Sequence, residues 1–187
     1  MAACPGCGRD NADDARFCSA CGTELAATPA QREMRKVVTV LFCDLVGSTA
    51  LGESTDPEAL RARMRRYFAD LRAILERHGG AVEKFVGDAV MAVFGIPVAY
   101  EDDALRAVRA AVEMREAVSV HGLECRVGVN TGEVVVGGQG ETLVTGDAVN
   151  VAARLEQSAG AGEVLIGSQT RLLVRDAVRV ESVAPLT

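Results

Sequence analysis

Tryptophan is absent and aromatic residues make up only 4% of the chain, so aliphatic side chains must fill whatever core forms. No apolar run approaches the length of about twenty residues that a membrane-crossing helix needs. The opening MAACPGCGRD has neither the basic start nor the apolar stretch of a secretion signal. The expected compartment is therefore the cytoplasm, where cysteines read as metal ligands or free thiols before they read as disulfides. Positive charge is also scarce: 20 Lys and Arg stand against 26 Asp and Glu, a net charge of −6. Phosphate-backbone binding rests on clustered Lys and Arg, so this balance argues against a nucleic-acid partner, as the missing apolar run argues against a membrane one. The arginine-rich stretch RARMRRYFADLR (61–72) reads as a solvated helix face. Histidine is rare too; His78 follows a helix's last turn, His121 falls in a loop, and neither reads as catalytic. The 187 residues suffice for one substantial core and a small appendage.

What is abundant at the amino terminus is cysteine. CPGCG (4–8) and CSACG (18–22) repeat one knuckle with ten residues between the hooks. Two Cys-x-x-Cys hooks supply the four tetrahedral ligands of one structural Zn²⁺: Cys4, Cys7, Cys18 and Cys21. Glycine after each second cysteine permits the tight turn that aims backbone N–H groups at sulfur. So short a segment cannot bury enough core to fold unaided, which makes metal binding its folding energy. Four uncoordinated thiols or a redox pair are the competing readings, and two matched hooks favour metal. The segment resembles the zinc-ribbon modules of many bacterial proteins. Its two arginines face four acids, which points to a structural role or a protein partner for the ribbon. Cys43 and Cys125 fall inside apolar strands and read as core packing.

Residues 26–35 read as a linker, and a buried strand is expected from about Val37. VVTVLFCD (37–44) is a continuous apolar run, as for a strand covered on both faces. Asp56-Pro57 is a helix-start signal, with the helix running to His78 and stopping at Gly79-Gly80. AVEKF (81–85) and AVMAVF (89–94) flank a hairpin turn at Val86-Gly87-Asp88. Residues 101–118 form an amphipathic helix, and 123–130 with 133–138 read as a further strand pair. Helix 146–159, strand 163–167 and short helix 168–174 complete the order. The fold class is α+β: a ferredoxin-like βαββαβ core with extra strands and helices, an antiparallel sheet with helices on one face.

A carboxylate closing an apolar strand is unusual. Asp44 does this, followed by Gly47, Ser48 and Thr49, small residues that let backbone amides approach an anion such as a triphosphate. Asp88 sits in the hairpin turn; if the two strand ends are neighbours, the acids converge as a Mg²⁺ site does. Either acid alone reads as a turn former.

Three motifs change that balance: VTVLFCDLVGST (38–49), EKFVGDAVMAVFG (83–95) and VTGDAVNVAARLE (144–156), in order and at fitting separations. Together they resemble the class III adenylate/guanylate cyclase catalytic domain, over residues 36 to about 183, behind an N-terminal zinc ribbon of bacterial type. The resemblance implies two Mg²⁺ or Mn²⁺ per active site on Asp44 and Asp88, and conversion of ATP to cAMP and pyrophosphate in intracellular signalling, with GTP as the alternative substrate. Arg154 matches the family's transition-state arginine, Asn150 the residue that orients the ribose, and Lys84 the lysine that reads the purine edge. Asn150 and Arg154 are four apart and share a helix face. The resemblance also implies a homodimer with active sites at the interface, two aspartates from one chain and the purine-reading residue, Asn and Arg from the other.

The chain departs from the family in places. The family's second purine-reading position falls on Leu143, beside Thr142, and leucine cannot hydrogen-bond a base. Glu133 follows Thr131-Gly132, where many relatives carry a phosphate-binding arginine. A triphosphate-binding lysine of the family falls just past residue 187, so the domain expected at 36–187 reads as truncated. Leu143 and Glu133 motivate a competing expectation: a weak or inactive cyclase-like regulatory module that binds nucleotide or a protein partner.

Overall fold

The computed structural model describes residues 2–12, 15–25, 34–47, 56–137 and 144–184. At the amino terminus β1 (Ala2–Ala3) pairs antiparallel with β2 (Asp10–Asn11). The larger sheet begins at β3 (Met34–Leu45), three residues before the expected Val37. Helix α1 (Pro57–Arg77) follows, then the hairpin β4 (Ala81–Val86) and β5 (Ala89–Phe94). Helix α2 (Asp103–Val120), β6 (Cys125–Val136), β7 (Val144–Thr145), α3 (Asp147–Ser158), β8 (Val164–Ile166) and α4 (Ser168–Val174) complete the chain. The strands lie in the order β4-β5-β3-β6-β7, with β8 parallel to β6 and every other pairing antiparallel.

Helix α1 starts where Asp56 accepts from the amides of Glu58 and Ala59, each at 3.1 Å, with Pro57 in the first turn. It ends as the sequence indicates, on Gly79 with φ +79°. Its buried stripe is Tyr67, Leu71, Ile74 and Leu75, the spacing of one helix face. This stripe packs with Ala107, Ala111, Met114 and Val118 of α2 on Leu41, Cys43, Val90, Ala92, Val127 and Val129 of the sheet. Cys43 and Cys125 belong to this core, as their setting in apolar strands implies. The two helices are joined at both ends by histidine–acid pairs, His78 with Glu113 and His121 with Asp70, each at 2.8 Å.

Two expectations are corrected. Helices cover both faces of the sheet, not one: alternate residues of the same strands, Val38, Val40, Met91, Val93 and Val134, pack on Ala148 and Ala152 of α3. The continuous apolar run of β3 is the physical reason, because a strand with both faces apolar needs cover on both. The segment read as a strand pair around Thr131-Gly132 is one strand, β6, paired with β3 along its whole length. Gly132 makes room there. A Cβ on it would sit 2.9 Å from the Ala148 Cβ, and one on Gly128 would strike the backbone of Ala152 and Glu156. Two glycines four apart on one strand face thus let α3 lie close on the sheet. Thr131, far from turning the chain, bonds Thr39 and Thr170 at 2.9 Å each.

Candidate functional site

In the amino-terminal module all four cysteine sulfurs lie within 4.8 Å of one another. Sγ of Cys4 is 3.5 Å from Cys21, and Sγ of Cys7 is 3.6 Å from Cys18. The amides of Gly6 and Ala20 donate to the sulfurs of Cys4 and Cys18 at 3.4 Å, and Gly8 and Gly22 close the two knuckles at φ +75° and +71°. Buried Asn11 adds an Nδ2–H to Cys18 at 3.6 Å. The backbone amides of Ala20 and then Cys21 lower the Cys18 thiol to about 6, toward the thiolate that ligates metal. The donor set, its convergence and the amide cradle all fit one tetrahedral Zn²⁺.

In the larger domain, register does the assembling. Cys43 pairs with Val90, so Asp44 at the end of β3 lies beside the start of β5 and the turn that holds Asp88. Gly87 makes that turn at φ +64°, and the Tyr67 hydroxyl, donating from the buried core, holds the Asp88 carbonyl at 3.2 Å. Burial pushes the Tyr67 phenol up, so it remains a donor. On its other side Asp44 faces Arg126 of β6. Nη2 of Arg126 donates to Asp44 Oδ2 at 2.7 Å, and its Nε lies 2.6 Å from Glu156 Oε1 on α3. The Asp44 carboxylate holds the Arg126 pKa above its ordinary value. Burial raises the pKa of Glu156, Arg126 opposes this, and the charges of Asp44 and Asp88 both add to the rise. Three acids and one guanidinium therefore share one field at this end of the sheet.

Asp44 and Asp88 are hard oxygen donors at adjacent strand ends, the chemistry a divalent cation needs. Among the described residues the only closed group of three or more metal-capable side chains is the cysteine cluster. A cation held by these two aspartates would complete its shell with water and phosphate oxygens.

The strand register brings Asp44 and Asp88 to neighbouring strand ends, while Lys84, Asn150 and Arg154 lie elsewhere. Lys84 is exposed on edge strand β4, with β5 between it and β3. Asn150 and Arg154 are exposed on α3, on the side away from buried Ala148, Ala152 and Glu156. Gly47 turns the chain after β3 at φ +74°. Ser48, Thr49, Thr142 and Leu143 lie outside the described residues, as does most of the expected linker. Glu133 pairs with Arg35 at 2.7 Å on the surface. Arg126 and Glu156 were missed by the sequence reading. The available signal was an arginine in an apolar strand, but its partner Asp44 is 82 residues away and only the strand register joins them.

A nucleotide-cyclase type of catalytic domain is the class that this sheet, with its paired acids at adjacent strand ends, defines. Residues 30–185 match the family model of the Adenylate and Guanylate cyclase catalytic domain, and residues 4–25 match a zinc-ribbon domain. The chain belongs to the adenylate and guanylate cyclase catalytic-domain family and carries a zinc ribbon before that domain. It is similar to the adenylyl cyclase CyaB from P. aeruginosa, at 36% identity and a TM-score of 0.76, covering 79% of this chain and 84% of that one. It is equally similar to the guanylyl cyclase Cya2, at 34% identity and a TM-score of 0.77, covering 82% and 87%. An uncharacterized protein of Mycobacterium tuberculosis is 37% identical over 164 residues, 80% of this chain but 29% of its own length. The chain thus spans under a third of the length of that relative. Among the described residues no helix is long and apolar enough to cross a membrane.

Proposed function

We propose that this chain converts ATP to cAMP and pyrophosphate as a homodimer, with GTP as the alternative substrate, in a cytoplasmic signalling role. The observation that carries the proposal is the split of the required groups between two surfaces. Asp44 and Asp88 lie at neighbouring strand ends at one end of the sheet, while Asn150 and Arg154 are exposed on the outer side of α3. One chain supplies the acids, and a second chain must bring the asparagine and arginine.

Asp44 and Asp88 would hold two Mg²⁺ or Mn²⁺, which would acidify the ribose 3′-hydroxyl and neutralise the triphosphate. The 3′-hydroxyl gives its proton to water, its oxygen bonds to the α-phosphorus, the bond from that phosphorus to the α,β-bridging oxygen breaks, and pyrophosphate departs. Arg154 of the second chain stabilises charge growing on the α-phosphate, and Asn150 orients the ribose. On this reading Lys84 of the second chain would read the purine edge, Thr142 and Leu143 are carried over as the neighbouring base-binding positions, and Gly47, Ser48 and Thr49 as phosphate-binding ones. The Arg126 guanidinium donates to Asp44 at 2.7 Å, so it shares the acid that would hold the metal.

The test is incubation of the full chain with ATP or GTP and Mn²⁺, with product resolved by chromatography. The proposal expects a cyclic nucleotide from wild type and none from Asp44→Ala. No cyclic product from either triphosphate, with the two proteins indistinguishable, contradicts it.

A further inference from the structure

The contact between Glu156 and Arg126 asks for an explanation that the aspartate pair does not give. Glu156 is buried on the sheet-facing side of α3, where a carboxylate is costly unless paired. Its Oε1 is fully buried, and among the described residues its close cation is the Arg126 Nε, at 2.6 Å but out of line for a hydrogen bond. The same guanidinium gives its Nη2 to Asp44 at 2.7 Å. Its Nε also reaches Asp44, but more weakly, at 3.3 Å. One cation is therefore divided between a buried acid that offers nothing else and an acid proposed to hold metal. The position of Glu156 is fixed from below: Gly128 lets this turn of α3 touch the strand, two residues from Arg126 on the same sheet face.

Arg126 and a divalent cation compete for the same Asp44 oxygen. Both guanidinium nitrogens already donate to Asp44 Oδ2, so a cation has to displace them, and the Glu156 carboxylate, 2.6 Å from Nε, is the group that can take up the guanidinium when it does. We propose that Glu156 is a positioning residue that anchors Arg126 by its Nε, so that Asp44 can yield its oxygen to a divalent cation while the guanidinium stays in the site. This rests on the metal role of Asp44 proposed above. Its consequence is that the two partners act on metal affinity with opposite signs.

The test measures Mn²⁺ binding to the zinc-loaded full chain without nucleotide, by the loss of the free-ion electron paramagnetic resonance signal. Arg126→Gln removes the competitor and should bind Mn²⁺ at least about tenfold more tightly than wild type, with Arg126→Lys between them. Glu156→Gln keeps the shape of the side chain and should bind about tenfold more weakly, because Asp44 then carries the guanidinium alone. In the Arg126→Gln background, Glu156→Gln should lose most of its effect, since there is no guanidinium left to hold. Circular dichroism reports whether each variant is folded; Arg126→Lys and Glu156→Asp carry the same signs if a glutamine variant is not. Glu156→Gln binding Mn²⁺ as wild type does, or acting equally in both backgrounds, overturns the proposal. Asp44→Asn distinguishes the two levels. If it leaves Mn²⁺ binding unchanged, the metal role of Asp44 fails; if it abolishes binding while Glu156→Gln does nothing, only the positioning role fails.

Discussion

Arg154 and Glu156 stand two residues apart on α3 and face opposite ways, Arg154 into solvent and Glu156 against Arg126 beneath the helix. A separation of two residues turns a helix by about 200°, so both cannot serve one surface. Arg154 is thus free to act on another chain, and its removal should disturb no packing. Arg154→Ala is expected to lower kcat on the order of a hundred-fold or more, with the melting temperature unchanged within error. A fall in melting temperature matching the activity loss would make Arg154 a folding residue instead.

Gly128 tests the close approach of α3 to the sheet. A methyl group there meets the backbone of Ala152 and Glu156, which cannot move without shifting the helix. Gly128→Ala should cost about 1–3 kcal/mol, read as a lower urea midpoint at constant slope. It should also weaken the Glu156–Arg126 contact. An unchanged midpoint would mean that the helix gives way freely.

The ribbon should depend wholly on its metal. Chelation of zinc, or Cys18→Ser, should reduce bound zinc from one ion per chain to none and raise amide exchange across residues 4–25. Amides of β3 and β6 should keep their protection. Protection across 4–25 that survives metal removal would contradict a metal-folded module.

The clamp between α1 and α2 gives a pH dependence. His78, and after it Arg77, hold the Glu113 carboxyl below its ordinary value of 4.5. A carboxyl depressed in the folded state stabilises above its unfolded pKa and loses that contribution as pH falls through its folded pKa. The pair is partly exposed, so the contribution is at most about 1 kcal/mol. Glu113→Gln should therefore be less stable than wild type at pH 6, and the gap should close as pH falls to about 3. A gap that widens in acid would reverse the assignment.

Much of this architecture is legible in local chemistry. Asp56-Pro57 starts α1 as read, and SQTRLLV (168–174) coincides with α4. The cysteine hooks needed only spacing. The apolar run of β3 carried the signal for two covered faces, but nothing local says which helix lies where. Thr131-Gly132 reads as a turn because glycine favours turns, whereas here it admits a helix from outside the strand. Arg126 and Glu156 escaped for a related reason: their roles exist only through register and packing between segments far apart in the chain.

The two-surface account is tested most directly by mixing inactive partners. Under the proposed function, Asp44→Ala lacks a metal carboxylate and Arg154→Ala lacks the transition-state cation. In a random mixture half the dimers are mixed, and one of the two sites in each is intact. Equal amounts, mixed and assayed with ATP or GTP and Mn²⁺, should recover about a quarter of the wild-type rate. A mixture no more active than the two variants separately would contradict an active site shared between chains.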